Sequence, residues 1–344
     1  NYQIANTATA LKEKVYISVP EGEGNYRYDE ELKEYVYDPL GDHILRILTT
    51  DQFIPTVELK TSGRLRLEPT NFFKNSSSEK GPLWNSVVKA ISTESFVTIE
   101  ERTQRKSVND IYLLKLSKFR SPGETIFGTL QFRQDLYLFE RSRDFSLRLR
   151  YASRDELNNQ FLEGGEKREE EEYSARVTTR FSEKVNSQSE VTNSRTARFF
   201  NYQGKQNRDI HSLKINSDIS ITPVSSIKLS LEGRFSLEKD LYYLLPTKVQ
   251  SFAIIPQMTY SIKNKGRVRG EFEWSFVKVN PSDRILPYEM ANGRSAGKSF
   301  RVDIRFDYRI SEVMQATLSY NGRNEPERHG VIHTGRAQIT AAFR

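Results

Sequence analysis

The strongest constraint on this chain is a two-residue alternation of apolar and charged side chains, clearest between residues 299 and 310. Successive side chains of a β-strand point to opposite faces of the sheet, so the pattern predicts a strand with one apolar and one charged face. The apolar set is Phe300, Val302, Ile304, Phe306, Tyr308 and Ile310. The charged set is Arg301, Asp303, Arg305, Asp307 and Arg309.

The same alternation recurs at 145–151, 213–221, 227–237 and 337–343. It is also found where Phe272, Trp274 and Phe276 share a face opposite Arg267, Arg269, Glu271 and Glu273. A strand of a globular sheet averages about 5–6 residues, whereas a tilted strand that crosses a bilayer needs about 9–11. Several of these segments reach the longer length, which favours membrane-spanning strands.

From about residue 56 onward, the pattern predicts thirteen strands. Their approximate bounds are 56–68, 87–103, 127–140, 144–153, 171–184, 189–203, 208–222, 225–240, 248–263, 266–279, 298–311, 313–324 and 331–344. Single-chain bacterial barrels have even strand numbers, so we expect 12 or 14. The segment 105–126 leaves two alternatives open, because its residues 111–116 fit either a short strand or a helical turn.

We therefore predict an all-β fold, a transmembrane antiparallel up-and-down β-barrel of 12–14 strands at 56–344. Residues 1–55 depart from the pattern and are predicted to be a short N-terminal aqueous segment, with hairpin arms at 25–28 and 34–37. Pro256 lies inside a predicted strand; because proline cannot donate to the ladder, we expect a bulge or a strand end there. A soluble all-β domain stays open as an alternative.

Composition excludes several other classes of protein. No apolar run approaches the roughly 20 residues of a membrane-spanning helix. The mean hydropathy of −0.65 does not exclude a membrane-spanning barrel, because a barrel turns only alternate residues to lipid. The absence of cysteine removes disulfides and thiolate metal sites. The 52 basic residues are balanced by 45 acidic ones without a dense basic block, so we predict no nucleic-acid partner. The chain starts at Asn1 without a signal-peptide pattern, and we expect a mature chain or a fragment.

Few residues suggest chemistry. His329 and His333 are four residues apart but have no third ligand at useful spacing, and Asp38 and Asp42 lack the pattern of a calcium loop. The acidic run 166–172 is typical of a solvated loop. His211 and Ser212 are adjacent and would point to opposite faces of a strand, and no nucleophile elbow or phosphate-binding loop occurs. We predict no enzyme activity, no metal site and no cofactor.

The charged faces are the best functional candidates, because in a barrel they line the lumen. They either set selectivity in a water-filled lumen or pair across strands and close it, and their mixed signs favour a filled interior. The predicted lumen-facing ladder is Arg301, Asp303, Arg305, Asp307, Arg309, Arg267, Arg269, Glu271 and Glu273. The predicted lipid-facing set is Phe300, Val302, Ile304, Phe306, Tyr308, Phe272, Trp274 and Phe276.

Three segments resemble one family of envelope proteins. They are Gly-Asn-Tyr-Arg-Tyr-Asp-Glu at 24–30 with Glu-Tyr-Val-Tyr-Asp-Pro-Leu-Gly-Asp at 34–42, then Phe-Arg-Gln-Asp-Leu-Tyr-Leu-Phe at 132–139, and Phe-Ser-Leu-Arg-Leu-Arg-Tyr at 145–151. Over residues 20–155 the chain resembles the C-terminal region of large surface proteins of the Bacteroidota and Chlorobiota. The resemblance implies an outer-membrane end attached to extracytoplasmic modules, and it carries over no catalytic residues. Phe343 lies one residue before the end, unlike the common terminal aromatic of such barrels.

These observations predict a protein of the bacterial outer membrane that acts as an anchor or scaffold for envelope and surface proteins, with a narrow or filled lumen. Its expected partners are outer-membrane lipid, lipopolysaccharide, and other envelope proteins or further domains of the same polypeptide. Two alternatives remain: a porin-like channel for small solutes, and a soluble all-β binding protein of the periplasm or cell surface.

Overall fold

The computed structural model consists almost wholly of β-strands. It describes residues 1–20, 24–30, 33–38, 41–68, 90–104, 115, 118–200, 207–242, 245–263, 265–282, 286–287, 289–324, 326 and 330–341. The strands are β1 (Tyr2–Ser18), β2 (Tyr26–Asp29), β3 (Glu34–Tyr37), β4 (His43–Leu67), β5 (Ile91–Thr103), β6 (Thr125–Leu138), β7 (Phe145–Asn158), β8 (Glu166–Ser182), β9 (Val185–Phe200), β10 (Arg208–Val224), β11 (Ile227–Asp240), β12 (Thr247–Ile262), β13 (Gly266–Asn280), β14 (Gly297–Arg309), β15 (Met314–Asn324) and β16 (Val331–Ala341).

All sixteen strands found in the described residues belong to one antiparallel sheet. From β4 to β16 each strand pairs with the next, β1 pairs with β4, and the small β2–β3 hairpin joins β4 through Tyr26 and His43. The hairpin set aside, the thirteen strands β4 to β16 form the up-and-down wall and β1 pairs with β4 as a fourteenth strand, which is within the predicted range. The predicted all-β up-and-down fold is confirmed, as are the thirteen strands predicted from residue 56 onward, although the segment 111–116 lies largely outside the described residues.

The strands β4 to β16 form a wall that curves around an interior. Arg198 at the end of β9 contacts Glu289 in the connection before β14, and Lys12 of β1 pairs with Phe161 after β7. These contacts join parts of the sheet that are several strands apart, which requires strong curvature. Within the described strands, no backbone ladder joins β16 to β1 or β4.

The two rims of the wall differ in their connections. The short-turn rim carries 139–144, 183–184, 225–226, 263–265 and 310–313, together with the longer connection 68–90. The strand ends at the long-loop rim are joined by 104–124, 159–165, 201–207, 241–246, 281–296 and 325–330. Short turns at one rim and long loops at the other are typical of outer-membrane barrels.

Three local features add to the sequence predictions or correct them. The predicted hairpin of 25–28 and 34–37 is present, but β1 was missed, and β4 runs without interruption through the predicted boundary between residues 55 and 56. The bulge or strand end at Pro256 is wrong. Pro256 lies inside β12 and pairs with Leu231 of β11, while the ladder to β13 skips 255–256 and resumes in the same register. The absence of a backbone N–H at proline therefore removes contacts from the β12–β13 ladder, but no extra residue is inserted as it would be in a bulge.

Candidate functional site

The inner face of the wall is polar, and the outer face is apolar. Asp135 and Glu238 are each 1% exposed on the inner face, whereas Phe272 and Trp274 are 42% and 39% exposed on the outer face. In a water-soluble protein charged side chains are almost never fully buried unless they are paired, and large apolar ones are mostly inside. This burial pattern is the reverse of a soluble sheet protein, so we take the interior as the candidate functional site.

The inner face of β4–β7 is crosslinked by an ion-pair network. The carboxylate of Asp135 accepts hydrogen bonds from Arg150 at 2.6 and 3.1 Å, and lies 3.2 Å from Nε of Arg133. Glu94 accepts a hydrogen bond from Arg64 at 3.0 Å and lies 3.6 Å from Arg133. Because Arg133 contacts both carboxylates, the two ion pairs form one network.

A second network joins β7, β8 and β9. Glu190 accepts hydrogen bonds from Arg148 at 2.9 Å and from Arg176 at 2.7 Å. Its two oxygens contact different arginines, one on an adjacent strand and one two strands away. Charge-assisted hydrogen bonds of this kind are stronger than neutral ones, and they hold the strands at a fixed spacing.

The connection between β13 and β14 folds into the interior. Met290 and Ala291 are fully buried and pack against the inner-face side chains Ile210, Val249, Val277 and Val279. The carboxylate of Glu238 accepts the backbone N–H of Ala291 at 3.1 Å. On one side Arg294 pairs with Glu273 at 2.5 Å, and on the other Glu289 lies 3.6 Å from Arg198 of β9. We call residues 286–287 and 289–294 the inward segment.

A two-stranded ribbon lies across the long-loop rim. It is formed by β1 and the first half of β4. The pairing of β4 with β5 ends at Val57 and Thr103, and the ribbon extends beyond that pair. The N–H of Lys12 bonds to Gln160 at 2.8 Å, and the N–H of Lys14 bonds to the Glu163 carboxylate at 3.0 Å. The ribbon therefore reaches the connection between β7 and β8 on the far side of the mouth.

The Lys14 side chain secures this ribbon. Its ammonium nitrogen lies 4.5 Å from the centre of the Phe161 ring and 5.7 Å from that of Phe200. Burial lowers the pKa of Lys14 from its ordinary value, and the negative charge of Glu166 opposes that shift. Cation–π contacts at a partly desolvated site are worth up to about 2 kcal/mol.

The β2–β3 hairpin extends the ribbon along the same rim. Tyr35 stacks on Tyr16 with ring centres 4.0 Å apart and meets the His43 ring at 4.9 Å. Gly41 permits the close approach of the hairpin, because a Cβ there would lie 2.1 Å from the carbonyl oxygen of Tyr26. The hairpin is thus packed by tyrosines at the mouth.

The predicted lumen-facing ladder occupies one face of β13 and β14, but strand register groups its charges in a way the sequence pattern did not show. Arg305 lies directly opposite Arg269, and Asp303 directly opposite Glu271. The arginine–carboxylate pairs run along a strand instead: Arg305 bonds to Asp307 at 3.0 Å, and Arg269 lies 3.7 Å from Glu271. The cross-strand hydrogen bonds of the carboxylates come from neutral donors, Thr317 to Asp307 at 2.8 Å and Asn321 to Asp303 at 2.5 Å.

The remaining ladder and lipid-facing residues are found as follows. Arg301 lies opposite Glu273 on β13 and opposite Arg323 on β15, while Arg267 lies opposite Asp307. The predicted lipid-facing residues alternate with the ladder on the other face. Their roles toward lumen and lipid stay predictions; their placement on opposite faces of the strands is observed. Phe300, Ile304, Phe272, Trp274 and Phe276 are exposed, and Val302, Phe306 and Tyr308 are half-buried.

The minor candidates form no common site. His333 bonds to the Tyr320 hydroxyl at 2.7 Å, and His329 lies outside the described residues. His211 lies 3.5 Å from Asp209, while the adjacent Ser212 bonds to Ser194 at 2.8 Å. No cluster of three metal-ligating side chains occurs in the part of the chain that the structure describes.

The solvated loop predicted for 166–172 is wrong. These residues form the first part of β8. Lys167 pairs with Glu169 and Arg168 with Glu170, each at 2.5 Å. Because residues two apart share a face of a strand, the run neutralises its own charges in pairs and is compatible with a strand.

Sequence reasoning missed the inward segment and its anchors, Glu238, Arg294 and Arg198. Residues 281–296 were read only as a long connection. The one available signal was the apolar Met290–Ala291 pair within a polar stretch. The buried Asp135 and Glu94 and the half-buried Glu190 were also missed, because their partners come from other strands.

Comparison with known proteins yields likeness only to solved structures. No family model matches the chain, and no curated protein matches it. The outer membrane channel DcaP of Acinetobacter baumannii aligns with a TM-score of 0.42 and 9% identity, covering 99% of this chain and 96% of that one. Outer-membrane expressed OmpT of Vibrio cholerae gives 0.39 and 8%, covering 94% and 87%. The NanC porin gives 0.29 and 8%, covering 62% and 94%. All three scores are low, so the function proposed below takes its support from the chain's own geometry.

Proposed function

We propose that this chain is a β-barrel of the bacterial outer membrane that serves as an anchor or scaffold for envelope and surface proteins. The observation that carries the proposal is the combination of an apolar outer face with an interior that is crosslinked and occupied. Each half of this combination supports one part of the function.

The outer face supports residence in a bilayer. Exposed apolar side chains recur on many strands, among them Leu149, Leu231, Phe252, Trp274 and Ile304. Within the described residues, no second sheet and no helix covers this face. A lipid bilayer is the environment in which such a surface is stable, because lipid tails solvate apolar side chains while the strands satisfy their backbone groups with one another. A soluble all-β protein would bury these side chains.

The interior supports anchoring over bulk conduction. The inward segment is held to β9, β11 and β13, and the ribbon crosses the long-loop rim to the connection between β7 and β8. Both lie at the same mouth and reduce the free cross-section. A porin-like channel remains the second candidate, since the charged and polar side chains that line much of the inner face are compatible with water.

The rim features support a scaffold. In outer-membrane barrels the long loops face the outside of the cell. With this orientation the ribbon and the tyrosine-packed hairpin lie outside, next to lipopolysaccharide and accessible to other envelope proteins or to further domains of the same polypeptide.

The decisive experiment is conductance in planar bilayers. Purified protein that resists unfolding in detergent until boiled should give low or no conductance. A variant with residues 286–294 replaced by a short Gly/Ser linker should conduct more, provided that it keeps the same heat-modifiable mobility. Large, steady, ohmic channels from the unmodified protein would move the function to a porin, and a protein that stays in the aqueous fraction without detergent would exclude the membrane altogether.

A further inference from the structure

The outer face of β11–β14 carries charge only at its long-loop end. Its charged side chains are Lys239, Lys248, Lys278 and Lys298, each within two residues of the strand end at that rim. All four are exposed, and we call them the lysine row. Every acidic side chain and every arginine of these four strands lies on the inner face. The outer face is therefore apolar over most of its height and cationic at one edge.

Strand register makes the lysine row continuous. Lys239 of β11 lies directly opposite Lys248 of β12. Lys248 and Lys278 are diagonal neighbours on β12 and β13, and Lys278 and Lys298 are diagonal neighbours on β13 and β14. Diagonal neighbours on one face lie about 7–8 Å apart, which is within reach of long side chains. The four ammonium groups thus form one positive edge across four strands.

The protein does not compensate this charge. Among the described residues, none of the four lysines has an ion pair or a side-chain hydrogen bond. The carboxylate diagonal to Lys239 on β10 is Asp209, which already accepts two hydrogen bonds from Arg195 at 2.8 and 3.0 Å. Like charges on facing strands destabilise a sheet, so anions bound along the row would stabilise it.

An apolar surface lies directly below the lysine row. Phe276 and Phe300 follow Lys278 and Lys298 by two residues on the same face, and Phe252 follows Lys248 by four. At about 3.4 Å per residue, these rings lie about 7–14 Å from the lysines along the strands. All three rings are exposed. A molecule that fits this surface carries negative charge at one end and apolar chains at the other.

We propose that the lysine row and the rings below it bind the phosphates and acyl chains of lipopolysaccharide. The row lies on the outer face, so its ligand lies beside the barrel and not in the lumen. Basic residues near a bilayer surface attract anionic lipid headgroups. The long loops of outer-membrane barrels face the outside of the cell, which places the row in the leaflet that carries lipopolysaccharide. This inference rests on the proposed function, and it names the lipid partner and the strands that hold it.

The test is fluorescence anisotropy of a labelled, doubly phosphorylated lipopolysaccharide with the folded, detergent-solubilised protein in EDTA, which removes divalent cations from the phosphates. One lysine near an anionic lipid surface contributes about 5-fold to affinity. Lys248→Gln combined with Lys278→Gln should therefore weaken binding roughly 25-fold. Lys248→Arg combined with Lys278→Arg keeps both charges and should bind like the wild type.

Lys263→Gln combined with Lys265→Gln is the matched control. These two exposed lysines lie in the turn at the other end of the same β12–β13 hairpin, at the short-turn rim. Their removal should leave the affinity unchanged. Dephosphorylated lipopolysaccharide should bind the wild type more weakly, and an equal concentration of inorganic phosphate should not displace the labelled lipid.

The proposal would be overturned by equal losses in the two glutamine pairs, by loss of binding in the arginine pair, by equal binding of the dephosphorylated lipid, or by displacement with inorganic phosphate. Heat-modifiable mobility verifies that each variant is folded. A wild-type protein that stays in the aqueous fraction without detergent would exclude the proposed function as well. A heat-modifiable protein that partitions into membranes but does not bind the lipid would exclude only this site.

Discussion

The two ends of the wall carry the same alternation of charges but use it differently. In β4–β9 arginines bond to carboxylates of other strands, as Arg150 does to Asp135 and Arg148 to Glu190. In β13–β14 the arginine–carboxylate pairs run along a single strand, as in Arg305 with Asp307. Register places like charges opposite each other in two of the four facing charged pairs, Arg269 with Arg305 and Glu271 with Asp303, and among the described side chains no ion pair ties β13 to β14. Alternation determines which face a charge occupies, and register determines whether that charge crosslinks the wall.

The largest expected effect comes from removing the most buried carboxylate of the crosslinked end. Asp135→Ala leaves Arg150 and Arg133 without their shared partner, and breaking a buried ion pair typically costs about 3–5 kcal/mol. We expect the free energy of unfolding in detergent, measured by urea titration, to fall by about 3 kcal/mol or more.

Asp303→Ala on β14 is the matched change at the other end. This carboxylate loses one hydrogen bond, from Asn321, and its removal relieves the like charge of Glu271. We expect a loss of about 1 kcal/mol or less. Equal losses in the two variants would show that the ends of the wall do not differ.

A charge introduced on the outer face should impair assembly at both ends of the wall, because that face is apolar at both ends. Leu149 on β7 and Phe306 on β14 lie on the apolar face, where an arginine at the bilayer midplane costs about 2–4 kcal/mol. Leu149→Arg and Phe306→Arg should both reduce the yield of heat-modifiable protein in lipid. Normal assembly of either variant would place that strand outside the bilayer.

Quenching in bilayers sharpens the assignment of faces. Bromine placed deep in the acyl chains should quench the indole of Phe306→Trp and leave that of Asp307→Trp unaffected. Both side chains lie at the same depth, so a difference in quenching reports the face and not the depth. Equal quenching at the two positions would refute the assignment of faces.

A smaller effect is expected at the second network. Glu190→Gln weakens charge-assisted hydrogen bonds to Arg148 and Arg176, and partial solvent access reduces the cost to roughly 1–2 kcal/mol. Glu271→Gln on β13, whose ion-pair partner Arg269 is 3.7 Å away, should change the free energy of unfolding by no more than about 0.5 kcal/mol. In the same urea titration, Glu190→Gln should lower the free energy of unfolding more than Glu271→Gln does. The reverse order would contradict the conclusion that register determines which charges crosslink the strands.

A small effect is also expected for Asp307→Asn. The amide of the variant still accepts the hydrogen bond of the Thr317 hydroxyl. Only the negative charge that Arg305 of the same strand contacts is lost. We expect a loss below about 1 kcal/mol in the unfolding titration. A loss as large as that of Asp135→Ala would mean that the β14 ladder is also a crosslink.

The amino-acid sequence alone determined the strands and their faces from residue 56 onward. Alternation needs only the two-residue repeat of an extended chain, which is a local property, and for that reason segments such as 299–310 were found without any knowledge of their neighbours. The same logic failed at β1 and at the first half of β4, where residues 2–18 and 43–55 alternate weakly and their pairing partners lie up to about 60 residues apart.

Only the tertiary structure decided the contents of the interior. Whether Arg305 meets Asp307 or a carboxylate of β13 depends on a register that turns and packing set jointly, and a shift by one residue would exchange every contact. The course of the inward segment depends on room between β9 and β13 and on Glu238, which lies more than 40 residues earlier in the chain and accepts the N–H of Ala291. A cavity at the long-loop rim, lined among others by Tyr37 of β3, Arg301 of β14 and Arg323 of β15, likewise exists only because the wall curves and brings the β2–β3 hairpin against β13–β15.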